Sequence, residues 1–307
     1  MDKSRQVIEV IKMKIYNLGS LNIDYVYSVD HFVSAGETLS SDTMTVFPGG
    51  KGMNQSVALA KAGAKVIHGA LVGNGGDFLL DTLSSSGVDT SRIKKVEHSS
   101  GHAIIQVDKN GQNCIMLFAG TNHLVNNEYI EEFLSDADPG DILLTQNETS
   151  GLDAAFEIAN RKGMQIAFNP SPYHKSIKEL PLNLIRWWFC NEIEAEALFG
   201  SSDPTTIAET FVKDYPDSCL ILTLGENGSV FIGNGMYVPQ GIYKVEPVDT
   251  TAAGDTFTGY FLASVMNGSD VASALDIASK ASAITVSRLG ASTSIPVYDE
   301  VCTSFRE

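Results

Sequence analysis

Short apolar runs of strand character alternate along this chain with segments whose apolar residues recur at helical spacing. Strands are read at 15–18, 66–72, 142–144, 165–168, 187–190 and 220–224. Helices are read at 53–62, 78–86, 152–161, 192–199, 205–215, 255–266 and 271–288. Strand–helix alternation with short connections predicts a parallel sheet covered on both faces, with ligands at the carboxyl ends of its strands. Two segments break the alternation, 24–47 and 101–118, and both read as antiparallel strands. In the second, 102–107 and 113–118 flank Asp108-Lys109-Asn110-Gly111, whose Asn-Gly tip is a hairpin signal. A small sheet built from these insertions would cover the mouth of the main sheet as a lid and exclude water from it.

The chain has 307 residues, 43% of them hydrophobic, enough for one large core. The expected domain spans 14–300, and residues 1–13 read as an N-terminal extension. A net charge of −16 argues against a nucleic-acid partner, because a phosphate backbone needs a basic face. No apolar run is long enough to span a bilayer and no signal peptide is evident, so no membrane partner and a cytoplasmic location are expected. Cys114, Cys190, Cys219 and Cys302 lack CxxC spacing and read as reduced thiols. The six histidines lack a paired metal-binding spacing.

The run Asp249-Thr250-Thr251-Ala252-Ala253-Gly254-Asp255-Thr256-Phe257 follows a strand-like stretch at 243–248 and opens a helix. Small residues at a helix start leave backbone N–H groups open to an anion, phosphate above all. Asp255 sets a carboxylate beside that anion hole, an arrangement suited to moving a phosphoryl group onto an alcohol. Asp in a first helical turn is also ordinary dipole compensation. Asn22 and Asp24, two apart at a strand end, point to one side and could hold hydroxyls, or form a plain polar turn. Gly49-Gly50-Lys51-Gly52 lets the backbone approach a ligand ahead of a helix that carries Asn54 and Gln55. It is not a Walker A loop, since Gly52 follows Lys51. Asn191-Glu192-Ile193-Glu194 is explained by a capping box unless Glu194 also reaches a metal-bound water. Thr223-Leu224-Gly225-Glu226-Asn227-Gly228 is either a turn or a nucleotide shelf. Glu148 sits at the ligand edge of its strand, and the segment from Thr285 to Ser294 offers the oxygen ligands of a weakly held alkali cation.

Together, and in this order, these segments resemble the ribokinase-like (pfkB) carbohydrate kinase family over about residues 14–300. The resemblance implies a three-layer α/β/α fold with a mostly parallel central sheet and a small β-sheet lid. It implies an ATP-dependent kinase acting on the 5-hydroxyl of D-ribose, with Mg²⁺ required and K⁺ activating. Another small sugar (deoxyribose or a ketose) or a nucleoside is the alternative acceptor. A silent sugar sensor fits less well with intact Gly254, Asp255 and Glu194. By the same resemblance Asp255 is the base, and backbone N–H groups of Ala252, Ala253 and Gly254 form the anion hole. Asn22, Asp24, Gly50, Lys51, Asn54 and Glu148 meet the sugar. Asn191, Glu194, Thr223, Gly225 and Gly228 serve the nucleotide, with Glu194 reaching Mg²⁺ through water. Asp249, Thr251, Thr285, Arg288, Gly290 and Ser294 surround K⁺. The lid is implied as a homodimer interface. Departures from the family pattern are Ala252 where Gly is frequent, Gly75 and Phe78 in the 73–78 segment, and His102 on the lid. Ser279 falls near the expected adenine pocket.

Overall fold

The alternating runs build one large sheet. The computed structural model describes residues 13–305, so the expected N-terminal extension lies outside them except for Met13. In chain order the strands are β1 Ile15–Leu18, β2 Asn22–Ser28, β3 Thr43–Gly49, β4 Val66–Gly69, β5 Leu71–Asn74, β6 Lys94–Ser99 and β7 Gly101–Val107. They continue with β8 Asn113–Phe118, β9 Ile142–Gln146, β10 Gln165–Asn169, β11 Ile185–Asn191, β12 Cys219–Thr223, β13 Ser229–Gly233 and β14 Met236–Gln240. The helices are α1 Lys51–Lys61, α2 Asp77–Ser85, α3 Asn127–Phe133, α4 Leu152–Arg161, α5 Glu192–Phe199, α6 Pro204–Asp214, α7 Ala253–Met266, α8 Val271–Val286 and α9 Tyr298–Thr303.

The main sheet has the order β14-β13-β12-β11-β10-β9-β1-β4. From β12 to β4 every pairing is parallel, while β13 and β14 add an antiparallel edge. Successive strand residues serve opposite faces, as the pleat requires. Ile15, Ile142, Leu144, Ala167 and Phe189 join one core with α1, α2, α7 and α8. Tyr16, Leu18, Leu143, Ile166, Phe168 and Trp188 join the other with α3, α4, α5 and α6. Both faces are covered, so the strands read as nearly continuous apolar runs. Helix entries follow local rules: Asp203 caps α6 with Pro204 in its first turn, and Asp270 caps α8.

The lid is a separate sheet of order β3-β2-β7-β8. Its β2–β3 and β7–β8 pairs are antiparallel as expected, but the two insertions join through a parallel β2–β7 pair. The expected strand at 66–72 breaks at Ala70 into β4 of the main sheet and β5, which pairs with β6. The Ala70 carbonyl accepts from the Lys94 amide and the Tyr129 hydroxyl, which takes it out of the main ladder. The expected strand at 243–248 does not form. There the amides of Val248 and Asp249 both donate to the Val286 carbonyl, docking the segment on the end of α8. The β13–β14 hairpin is an addition to the sequence reading, although Asn234-Gly235, both at positive φ, is a strong two-residue turn signal.

Candidate active site

The parallel strands end on one rim, and the loop after β1 meets the first turn of α1 there. The contact is backbone on backbone: a β-carbon on Gly52 would lie 2.4 Å from Gly19 atoms. Only glycine permits that approach. The crossing lets the Gly52 amide donate to Ser20 Oγ at 3.2 Å and the Met53 amide to the Ser20 carbonyl at 3.0 Å. The Ser20 hydroxyl donates in turn to Glu148 Oε2, which also accepts the Lys51 amide at 3.0 Å. Asn22 Oδ1 accepts from Asn122 Nδ2 at 2.8 Å, and Asn122 Oδ1 holds the Leu21 amide at 3.0 Å. The Asp24 carboxyl lies against Gly49, where a β-carbon would come within 2.0 Å of Oδ2.

These groups share one electrostatic field. Burial, with the charge of Glu148 added, pushes the Asp24 carboxyl up to about 7. Burial also raises Glu148, against the pull of Lys51 and Ser20. Burial works against the Lys51 ammonium, yet the charges of Asp255, Glu148 and Glu194 outweigh it and raise its pKa. One cation thus balances three carboxylates drawn from β9's end, α5 and α7.

Asp255 sits in the first turn of α7, where the geometry of a helix start leaves N–H groups without intrahelical acceptors. The turn is set by Ala252, a non-glycine residue at φ 63°. The Ala253 amide makes only a long turn bond to the Thr250 carbonyl, 3.3 Å. Asp255 is 7% exposed. Asn54 Nδ2 donates to its Oδ2 at 3.0 Å and Gln55 Nε2 to its Oδ1 at 2.9 Å. Asn54 lines the cleft, and its Oδ1 is buried without a partner.

At the far end, Asn191 and Glu194 form the capping box read from the sequence, with both bonds at 2.9 Å. They and Thr223 line the cleft. Gly225 and Gly228 form the turn behind it, and Gly228 packs so that a β-carbon would lie 2.1 Å from the Gln240 carbonyl. Asp249 accepts the Thr251 amide at 2.9 Å and the Gly290 amide at 3.0 Å, tying the loop before α7 to the segment after α8. These three residues line the cleft; Thr285, Arg288 and Ser294 stand behind them. Their side chains are engaged elsewhere. Thr285 bonds Thr256 and the Ala281 carbonyl, Arg288 pairs with Glu300, and Ser294 bonds the Ala291 carbonyl. The Asp249 carboxylate is thus the side chain that joins the two segments at this loop.

The resulting cleft of about 1170 Å³ lies between sheet rim and lid. It brings together every residue expected to meet the sugar, the expected base with its helix start, and three of the five residues expected at the nucleotide. Sequence reasoning left out Ser20, Gln55, Asn122 and Asn169. Ser20 and Gln55 stand inside the short motifs that carry Asn22 and Asn54, whereas no local pattern links Asn122 and Asn169 to the cleft. Ser279 is buried in α8 off the cleft wall.

Residues 12–297 match the family model described as pfkB family carbohydrate kinase. Ribokinase of Haemophilus influenzae is 35% identical over 292 residues, covering 92% of this chain and 95% of the relative. The structure of ribokinase from Cryptococcus neoformans in complex with ADP superposes with a TM-score of 0.83 at 32% identity, covering 94% of this chain and 99% of that one. Arabidopsis thaliana ribokinase complexed with ribose and ATP gives a TM-score of 0.86 at 25% identity, covering 96% of this chain and 100% of that one.

Proposed function

The chain belongs to the pfkB family of carbohydrate kinases and is a phosphotransferase with an alcohol acceptor, and from that premise we propose that it transfers the γ-phosphoryl group of ATP to the 5-hydroxyl of D-ribose. One observation carries the reading. The carboxylate at the α7 helix start is held by two amides from the helix of the glycine-rich loop, so base, anion hole and sugar loop form one unit. The relatives named as ribokinases, one of them complexed with ribose and ATP, support the choice of acceptor and donor.

The sugar ring lies among Asn22, Asp24, Gly50, Lys51, Asn54 and Glu148. The carboxylates and the orphaned Asn54 Oδ1 accept its hydroxyls, and amide N–H groups donate to it. Its terminal hydroxyl meets Asp255, which takes the proton as the oxygen attacks the γ-phosphorus in line with the leaving ADP oxygen. Amides of Ala252, Ala253 and Gly254 meet the charge on the transferring group. Asn191, Glu194, Thr223, Gly225 and Gly228 border the nucleotide. Glu194 would hold Mg²⁺ through a water, and the ion supplies charge neutralisation at the phosphates. Asp249 and Thr251, with carbonyls of Thr285, Arg288, Gly290 and Ser294, would hold K⁺, which fixes the loop that positions the helix start. Lys51 and the lid keep water from competing with the alcohol.

Two chains pair through their lids. Support comes from β8, exposed along its whole length and carrying Ile115, Met116, Leu117 and Phe118, an apolar surface of the kind that marks contact sites. A solution mass of two chains tests this, and a mass of one contradicts it. No helix among the described residues is long and apolar enough to cross a membrane. The activity belongs in the cytoplasm, with its ATP supply. The decisive assay measures ADP release across ribose, deoxyribose, a ketose and a nucleoside, with and without K⁺. Ribose turns over fastest, and faster with K⁺. Silence with ribose while another acceptor turns over contradicts the proposal.

A further inference from the structure

Behind the base lies a chain of buried amides that the reaction scheme above does not use. Asn17 Nδ2 donates to the Gly52 carbonyl at 2.8 Å and to Ser56 Oγ at 2.8 Å. A backbone carbonyl can only accept, so the polarity of the Asn17 amide is fixed and its Oδ1 faces Gln146. Gln146 Nε2 then donates to Asn17 Oδ1 at 3.0 Å and to Gln55 Oε1 at 2.7 Å. That leaves Gln55 Nε2 facing Asp255 Oδ1 at 2.9 Å and Asn169 Oδ1 at 3.2 Å. Asn169 is anchored independently, because its Nδ2 donates to the Phe189 carbonyl at 2.7 Å. Two backbone carbonyls, one on each side, thus dictate which way the Gln55 amide points. Turned over, its oxygen would face a carboxylate oxygen and an amide oxygen at once.

Gln146 shows what the arrangement costs. Its Oε1 is buried without a partner while both of its hydrogens are used. An unpaired buried acceptor is unfavourable, so its retention is explained by the donors it keeps in place. Asn17, Gln55 and Gln146 are each 1% exposed or less, so water does not compete for these bonds.

We propose that Gln55 is a positioning residue for Asp255: the amide chain Asn17–Gln146–Gln55 locks its N–H onto one carboxylate oxygen, aiming the base at the acceptor hydroxyl. Asn54 belongs to the cleft wall and meets ligand, whereas Gln55 acts through Asp255. The inference rests on Asp255 being the base, and the variants below separate the two ideas.

Gln55→Met keeps the length of the side chain and removes both amide groups. Its kcat should fall roughly 10- to 100-fold, the size of one hydrogen bond to a charged group, with KM for sugar and ATP nearly unchanged. The acid limb of its kcat–pH profile should move to higher pH, since a carboxylate that loses a donor is protonated more easily. Gln55→Glu retains the shape if the methionine variant fails to fold. Protonated, it still donates to Asp255; ionised, it repels Asp255. Its kcat relative to the parent should therefore fall as pH rises from 6 to 8. A ratio constant over that range, or a Gln55→Met enzyme with parental kcat and pH limb, overturns the proposal. Asp255→Asn retaining parental kcat overturns the base assignment instead, whatever Gln55 does.

Discussion

An aspartate that titrates at about 7 does not offer the same acceptors at pH 6 and pH 8. Burial, reinforced by Glu148, lifts Asp24 from an ordinary value of 3.8. The folded state therefore binds its proton more tightly than the unfolded chain does. Between those two values unfolding releases a proton, so stability falls as pH rises and the full penalty is present above 7. At about 1.4 kcal/mol per pH unit the ceiling is on the order of 4 kcal/mol, and partial exposure of Asp24 lowers it. Asp24→Asn should raise Tm more at pH 8 than at pH 5, and raise KM for ribose severalfold. Equal Tm gains at both values contradict this account. Residues like Asp24 were legible because they stand in short motifs. Their supports were not: Asn122 orients Asn22 from 100 positions away, and Ser20 reaches Glu148 across 128. Such pairings exist only once the sheet has formed.

Two crossing helices carry the site. From Asp255 to Ser264 every residue of α7 is buried, as expected of a helix apolar on nearly all sides. It crosses α1 at Gly259, where a β-carbon would lie 2.5 Å from Ala58 Cβ and 2.9 Å from the Leu59 nitrogen. Gly259→Ala should gain up to about 1 kcal/mol in helix propensity and lose about 1–3 kcal/mol to overpacking, a net loss. Separating the helices also draws Asn54 and Gln55 from Asp255, so kcat should drop beyond what the urea midpoint explains. Adding Ala58→Gly should restore part of both. A more stable, fully active Gly259→Ala protein contradicts the crossing. Long periodic helices such as α7 and α8 were readable from spacing alone. The single run at 66–72 divides after Gly69, where the Ala70 carbonyl is taken by the Lys94 amide and the Tyr129 hydroxyl, partners remote in sequence.

The topology explains why so many separate motifs meet. Parallel strands β1 and β9 to β12 end on one rim, so residues after each end become neighbours despite wide spacing in the chain. The lid, inserted after β1 and before β9, closes over that rim. Alternation alone pointed to the layers and the rim. The parallel join between the two lid insertions was not legible, because nothing in either strand's sequence names its neighbour. At this scale sugar loop, amide chain and α7 helix start are proposed to act together, making Asp255 a base rather than a helix-cap carboxylate. Asp255→Asn keeps the shape and both neighbours, so the most direct measurement is its single-turnover and steady-state kcat beside its ribose affinity. Ribose binding should stay within about threefold of the parent, and kcat should fall by roughly a hundredfold to ten-thousandfold. A variant that binds ribose and phosphorylates it at the parental rate would contradict the base assignment.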